Sequence, residues 1–292
     1  MQGVKEYLFA DSAQDAVALM RRHEGIGRYI AGGTDMYLSP ARCDFVVDVN
    51  RAGLGDIART PNGDLFLGSA ATLHNIATNP LVTEYAGGTL SHAAAHCGNR
   101  PIRTTATVGG NLCHALPSAD MAPVLLVLDA TCYIADEDSQ ESLPLCEFFL
   151  GPRQTVLEDR LLVGLALQSP EKPRFTANYK LTRSAEDISL VQVAASLEFD
   201  GDTVASARIA LGAVAPIPLR ARLAEAALEG QSLADLTEDY LTAAAAVAAS
   251  ECAPLDDHRA SAEYRRAMVA VFTRRVLLQV VAKANTETGA SS

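Results

Sequence analysis

Two glycine pairs constrain this chain more than any other feature. Gly32-Gly33 stands in Ala31-Gly-Gly-Thr-Asp35 and Gly109-Gly110 in Thr107-Val-Gly-Gly-Asn111. Each reads as a turn, and consecutive glycines let successive backbone N–H groups converge with no Cβ in the way. Thr34 and Asn111 add side-chain donors. One such turn is ordinarily only a turn, whereas two in one domain, each beside a hydroxyl or an amide, suit a phosphate-bearing ligand, and a diphosphate bridging both loops would satisfy the two together.

The segments around them predict an α+β chain. Ser12-Ala-Gln-Asp15 has the form of a capping box, and Ala13, Ala16, Val17 and Met20 follow at helical spacing, so a helix is expected near 12–24. Residues 28–30 and 45–49 read as strands flanking the first glycine pair, and 65–67 as another. Thr72 should cap a short helix stopped by Pro80, 84–97 should form a longer helix, 107–111 a second Gly-Gly turn, and 122–128 a buried helix before a strand at 131–135. Ser169-Pro-Glu-Lys-Pro173 is a linker candidate. Beyond it, 175–181, 191–199 and 203–213 read as antiparallel strands, with Asp200-Gly-Asp202 as the clearest turn. Helices are expected after Arg222, through the Ala-rich stretch, and near 259–283 with Tyr264, Ala267, Met268 and Val271 on one face. Mixed elements first, then a sheet and helices segregated, favour two α+β units.

Composition narrows the function. Lys and Arg number 24 against 35 Asp and Glu, a formal charge of −11 that would repel a nucleic-acid backbone. The Ala-rich stretch 241–249 is flanked by Asp239 and Glu251 and is far too short to span a membrane. Lys5, Glu6, Asp11, Asp15, Arg21 and Arg22 interrupt any secretory h-region, and the cysteines at 43, 97, 113, 132, 146 and 252 lack metal or redox spacing. Reduced thiols and a cytoplasmic location are the expectation.

Three further features bear on function. Gly53-Leu-Gly55-Asp-Ile-Ala58 matches a dinucleotide fingerprint, but no acidic strand-end residue follows at the right distance, so a surface turn explains it. His92 and His96, with Cys97 adjacent, would make a partial zinc site without the remaining ligands, and helix-face histidines near a polar ligand account for them better. Asp120 reads either as a helix cap or as a carboxylate accepting from the ribose or adenine of the ligand that the glycine loops would hold.

Taken in order, Ala31-Gly-Gly-Thr-Asp35, Pro101-Ile-Arg-Thr104, Thr107-Val-Gly-Gly-Asn111 and Pro117-Ser-Ala-Asp120, with 125–130 behind them, resemble the FAD-binding medium subunit of the xanthine dehydrogenase and carbon monoxide dehydrogenase family of molybdenum hydroxylases. Tyr179-Lys-Leu-Thr-Arg183, Ile209-Ala-Leu-Gly212, Pro218-Leu-Arg220 and Ser261-Ala-Glu-Tyr-Arg265 extend the resemblance over almost the whole chain.

The resemblance implies a PCMH-type, vanillyl-alcohol-oxidase-like FAD domain at 1–169, made of α/β subdomains at about 1–54 and 55–169. It implies a CO-dehydrogenase-flavoprotein-like C-terminal domain at 174–285, a small antiparallel sheet with helices, and a disordered tail at 286–292. Carried over by motif, Ile30, Ala31, Gly32, Gly33, Thr34, Asp35 and Met36, with Thr107, Gly109, Gly110 and Asn111, would cradle the FAD pyrophosphate. Asp120 would bind the adenosine half, Cys97 would lie near the flavin, and Leu162 and Lys180 would approach the isoalloxazine ring, where an ammonium could stabilise the reduced form.

Molybdopterin and [2Fe-2S] clusters are then expected only in partner subunits, a large and a small one, in a dimer of heterotrimers that feeds an external electron acceptor. No residue of this chain is implied as catalytic, and none as a metal ligand. The connection from Asp35 to the strand at Phe45 is shorter than the family commonly shows and lacks its frequent Lys. No cysteine-rich insertion lies between Asn111 and Asp120, so the additional cluster of the 4-hydroxybenzoyl-CoA reductase branch is not implied. The alternatives are a self-sufficient FAD oxidase or reductase of the same fold, for which the C-terminal half offers no evident catalytic constellation, and a flavin-free scaffold subunit, against which the intact glycine loops argue.

Overall fold

A computed structural model describes residues 4–38 and 42–289, so part of the short connection after Asp35 lies outside the described residues. The chain opens with β1 (Glu6–Phe9), α1 (Ala13–Arg22), β2 (Gly27–Ile30), α2 (Thr34–Leu38) and β3 (Phe45–Asp48), a parallel sheet in the order β1-β3-β2. Ser12 Oγ accepts from the Asp15 amide at 3.1 Å, and the Asp15 carboxylate accepts from the Asp11 amide at 3.0 Å, one residue before the cap. Central β3 is buried throughout. Edge strand β1 was not predicted, because Glu6-Tyr-Leu-Phe9 has no buried face to impose alternation.

A second unit follows with β4 (Ile57–Arg59), β5 (Leu65–Gly68), α3 (Leu73–Thr78), α4 (Pro80–Glu84), α5 (Thr89–Ala95), α6 (Arg100–Arg103), α7 (Val108–Cys113) and α8 (Ala122–Val127). It is completed by β6 (Thr131–Ala135), β7 (Gln140–Pro144), the small hairpin β8 (Phe149–Gly151) and β9 (Gln154–Thr155), and β10 (Leu161–Leu167). The antiparallel sheet runs β4-β5-β10-β6-β7, and α8, buried along its whole length, packs into the same core. The helix expected over 84–97 is broken: Ala86, Gly87 and Gly88 have φ of 49°, 61° and 74°, and α5 begins only at Thr89. Pro80 starts a helix rather than merely stopping one, with Asn79 Oδ1 capping it. Gly53 has φ +72° and the segment after it enters β4, not a helix, so the fingerprint-like string is a turn.

The second glycine pair is a correction of a different kind. Residues 108–113 form α7, and Thr107 caps it by accepting from the Gly110 amide at 3.1 Å. Gly109 and Gly110 therefore lie in a first helical turn instead of a loop.

The last unit has β11 (Arg174–Leu181), β12 (Val191–Asp200), β13 (Thr203–Gly212) and the short β14 (Leu219–Arg220) in sequential antiparallel order, covered by α9 (Arg222–Leu228), α10 (Glu238–Glu251) and α11 (Ala262–Gly289). The expected turn at Gly201 has φ +63°. The buried face of α11 is Arg265, Val269, Phe272, Val276 and Val280, rotated from the expected one, and Tyr264 is 44 % exposed. The register follows Arg265, whose guanidinium finds acceptors inside. Helix α11 also runs through Gly289, so 286–289 are not the expected tail, and 290–292 lie outside the described residues.

The units share a seam. Ala194 of β12 and Ala210 of β13 belong to the core built around α8, the Ala213 amide donates to the Pro117 carbonyl at 2.6 Å, and Thr89 Oγ1 donates to the Thr176 carbonyl at 3.1 Å.

Candidate functional site

Strand β2 ends at buried Ile30, and the chain turns sharply through 31–33 into α2. Gly33 takes φ +66°, a conformation that favours glycine. A Cβ on Gly32 would lie 1.9 Å from the carbonyl oxygen of Thr105, so here glycine permits the first loop to press directly on the segment leading into α7. The backbone N–H groups of Gly32, Gly33, Thr34, Asp35 and Met36 have no hydrogen-bond partner among the described residues, although the Gly33 carbonyl accepts from Tyr37 at 2.9 Å. Five consecutive unpaired donors on one turn form a cradle for an anion. Just before them, the Ala31 carbonyl accepts from Asn50 Nδ2 at 3.2 Å.

The second motif contributes differently from the expectation. Its amides are spent within the protein: Val108 donates to the Ala71 carbonyl at 3.0 Å, Gly109 to Ser69 at 2.8 Å, Gly110 to Thr107 Oγ1 and Asn111 to the Thr107 carbonyl at 3.0 Å. A Cβ on Gly109 would meet the Ser69 carbonyl at 2.6 Å, which makes that glycine a packing requirement. Gly110 is exposed and leaves a bare backbone surface, while Asn111 Oδ1 accepts from the Met121 amide at 3.0 Å, fixing the side chain with its NH2 group free to donate.

Farther along, Cys97, Asp120 and Lys180 come together. Lys180 Nζ lies 2.9 Å from Asp120 Oδ1 and donates to the His96 carbonyl at 3.1 Å. Gln192 Nε2 donates to the same Asp120 oxygen at 2.7 Å. Burial, then the nearby Asp120 carboxylate, pushes the Cys97 thiol far above its ordinary range, so it stays protonated as a donor toward Asp120. The Asp35 charge of the cradle also reaches Cys97, and it acts against burial at His114, whose imidazole burial pulls down. Asp120 therefore does not cap α8, whose cap residue is Met121 without a side-chain bond.

Asp120 and Lys180, expected at opposite halves of the ligand, are in contact with one another. Leu162 is 1 % exposed, with its side chain in the core and its backbone in β10, so it is not beside Lys180 as a surface group. Sequence reasoning missed Gln192 and Thr105. Gln192 left a signal, a polar residue in the otherwise apolar Val191-Gln-Val-Ala run; Thr105 left none, because its part is played by a carbonyl. A cavity of about 350 Å³ adjoins the pair, lined by His92, His96, Asn178 and Gln192 at the junction of α5, α8 and β11. The two imidazoles lie 4.1 Å apart and tilted by 37°, each with Nδ1 engaged, His92 on Asn178 Oδ1 and His96 on the His92 carbonyl.

Residues 2–167, more than half of the chain, match the family model described as the FAD binding domain in molybdopterin dehydrogenase. The chain belongs to that family. Residues 177–280 match the CO dehydrogenase flavoprotein C-terminal domain. The xanthine dehydrogenase FAD-binding subunit of Escherichia coli is 31 % identical over 293 residues, covering 95 % of this chain and 96 % of that one. The glyceraldehyde dehydrogenase medium chain of Sulfolobus acidocaldarius is 29 % identical, covering 94 % and 97 %. Among solved structures, carbon monoxide dehydrogenase from Hydrogenophaga pseudoflava superposes with a TM-score of 0.91 at 28 % identity, over 97 % of this chain and 99 % of that one. The fold class and the FAD-subunit role expected from the motifs are thus borne out: this is an oxidoreductase subunit whose cofactor is FAD.

The residues fit that cofactor. Unpaired amides on a glycine turn suit a pyrophosphate, and the Gly32–Thr105 approach and the bare Gly110 leave room where side chains would intrude. No helix of the described residues is long and apolar enough to cross a membrane.

Proposed function

We propose that this chain holds FAD with the pyrophosphate on the amides of Gly32 to Met36 and against Gly110 and Asn111, and with the flavin ring toward Cys97, Asp120 and Lys180. Ile30 supports the turn from beneath. Bound FAD supplies a redox group that accepts single electrons and releases one or two. The chain's own residues bind and orient it: Lys180 places a cation, held by Asp120 and the His96 carbonyl, where negative charge develops on reduction. No residue need act as acid, base or nucleophile.

In the same reading the chain works in the cytoplasm within a dimer of heterotrimers. A molybdopterin-binding large subunit oxidises the substrate, and a small subunit with [2Fe-2S] clusters delivers the electrons, which leave for an external acceptor. The relatives' membership of multi-subunit dehydrogenases supports this assembly.

The observation that carries the binding mode is the row of five unpaired amides beside the Gly32–Thr105 contact. The visible absorption spectrum of the purified protein, with chromatography of what acid releases, tests it: about one FAD per chain is expected. A colourless protein that takes up no added FAD would contradict it.

A further inference from the structure

The Asp120–Lys180 pair is held from the C-terminal sheet by a residue that the motifs did not single out. Gln192 is 4 % exposed on β12, and its Nε2 has three acceptors around it: Asp120 Oδ1 at 2.7 Å, Ser189 Oγ at 2.8 Å and the Ser118 carbonyl at 3.3 Å. The Asp120 carboxylate and the Ser118 carbonyl can only accept, and they fix which end of the amide faces Asp120. The cost falls on Oε1, which is buried without a partner among the described residues. A buried orphan acceptor calls for an explanation, and here it is the orientation that aims Nε2 at Asp120.

The surroundings maintain that orientation. Gly212 stands opposite Gln192 across the β12–β13 ladder, and a Cβ there would lie 2.7 Å from Oε1 and 2.8 Å from Pro123. Arg265, 2 % exposed on α11, donates to the Leu190 carbonyl at 2.8 Å and the Ala213 carbonyl at 3.2 Å, while Nη2 meets Asp257 at 2.9 Å. Ala213 in turn donates to Pro117, in the loop that carries Asp120. Arg265 thus ties the residue before β12, near Gln192, to the residue after β13, next to Gly212.

We propose that Gln192 is a positioning residue for the Asp120–Lys180 pair, braced by Arg265, through which the C-terminal sheet sets the reduction potential of the flavin. A glutamine suits this task because it donates to the Asp120 carboxylate without neutralising it, and so leaves Lys180 paired at a fixed place. The inference rests on the placement of the flavin ring at this pair.

The test is a redox titration of the flavin, followed by its absorbance against pH, in the FAD-loaded protein within its complex, for wild type, Gln192→Glu, Gln192→Leu, Asp120→Asn and the Gln192→Glu/Asp120→Asn double variant. Glu is nearly isosteric with Gln but sets a second carboxylate against Asp120, with Lys180, Cys97, His92 and His96 as the other titratable groups around it and Asp35 beyond. Two adjoining carboxylates share a proton, so Gln192→Glu should keep FAD at the wild-type ratio and introduce a new break in the slope of midpoint potential against pH; the double variant should lose that break. Gln192→Leu should keep FAD and shift the potential without adding a break. A purely packing role is the contrary outcome: potentials and pH slopes of both Gln192 variants match wild type while Asp120→Asn moves the potential. If Asp120→Asn leaves the potential unmoved as well, the placement of the ring itself fails, and the inference with it.

Discussion

Lys180 and Asp120 make one ion pair whose side chains are only 12 % and 14 % exposed, so screening by solvent is limited and the pair's orientation matters to whatever lies beside it. Replacing Lys180 by Ala removes the cation but none of the cradle. Retained FAD with a lowered flavin reduction potential is the expected result, because the electron-rich reduced ring loses its nearest positive charge. An unchanged potential would remove Lys180 from the ring's surroundings. The motifs single out Lys180 and Asp120, but their mutual contact is not legible in them, since the two stand sixty residues apart on separate units and nothing local encodes that approach. The same holds for Thr105, which matters through a carbonyl that every residue type possesses.

At the scale of elements, Thr107 shows how a short helix is made where a turn was expected. Its hydroxyl accepts from Gly110, and the carbonyls of Ala71 and Ser69 take the amides of Val108 and Gly109 before it, so six residues hold a helix that propensity alone would not support. Thr107→Ala should lower stability by about 1 kcal/mol in urea denaturation and loosen FAD binding; a variant as stable as wild type would show that the tertiary carbonyls suffice. Elements with strong local signals were readable: the Ser12 and Thr72 caps, and the strands around the Gly201 turn. The 84–97 segment misled because its apolar spacing continues through Ala86, where the chain turns left-handed. Helix α11 is legible in the sequence but its buried face is not, because a buried arginine does not look like core until its partners are known.

For the molecule as a whole, acid stability should report on the brace at the C-terminal unit. Burial raises the Asp257 carboxyl, but hydrogen bonds from Arg259, the Arg259 and Ala260 amides and Arg265 outweigh it and hold the group well below the usual carboxylate range. A carboxyl depressed in the folded state adds stability above its unfolded value, about 3.9, and loses it as the pH falls toward the folded value. Between about pH 4 and pH 2, Asp257→Asn should therefore show a shallower fall in stability than wild type; parallel acid-unfolding curves would contradict this.

The proposed binding mode seats the FAD pyrophosphate on the first glycine turn, which is pressed on Thr105. Gly32→Val tests it most directly, because the new side chain must displace the Thr105 backbone while the FAD-ring residues stay untouched. Equilibrium titration of flavin-depleted protein with FAD should give saturation near one per chain for wild type and a loss of affinity of about a hundredfold or more for the variant, at unchanged far-UV circular dichroism. Equal affinity in the two proteins would place the pyrophosphate elsewhere.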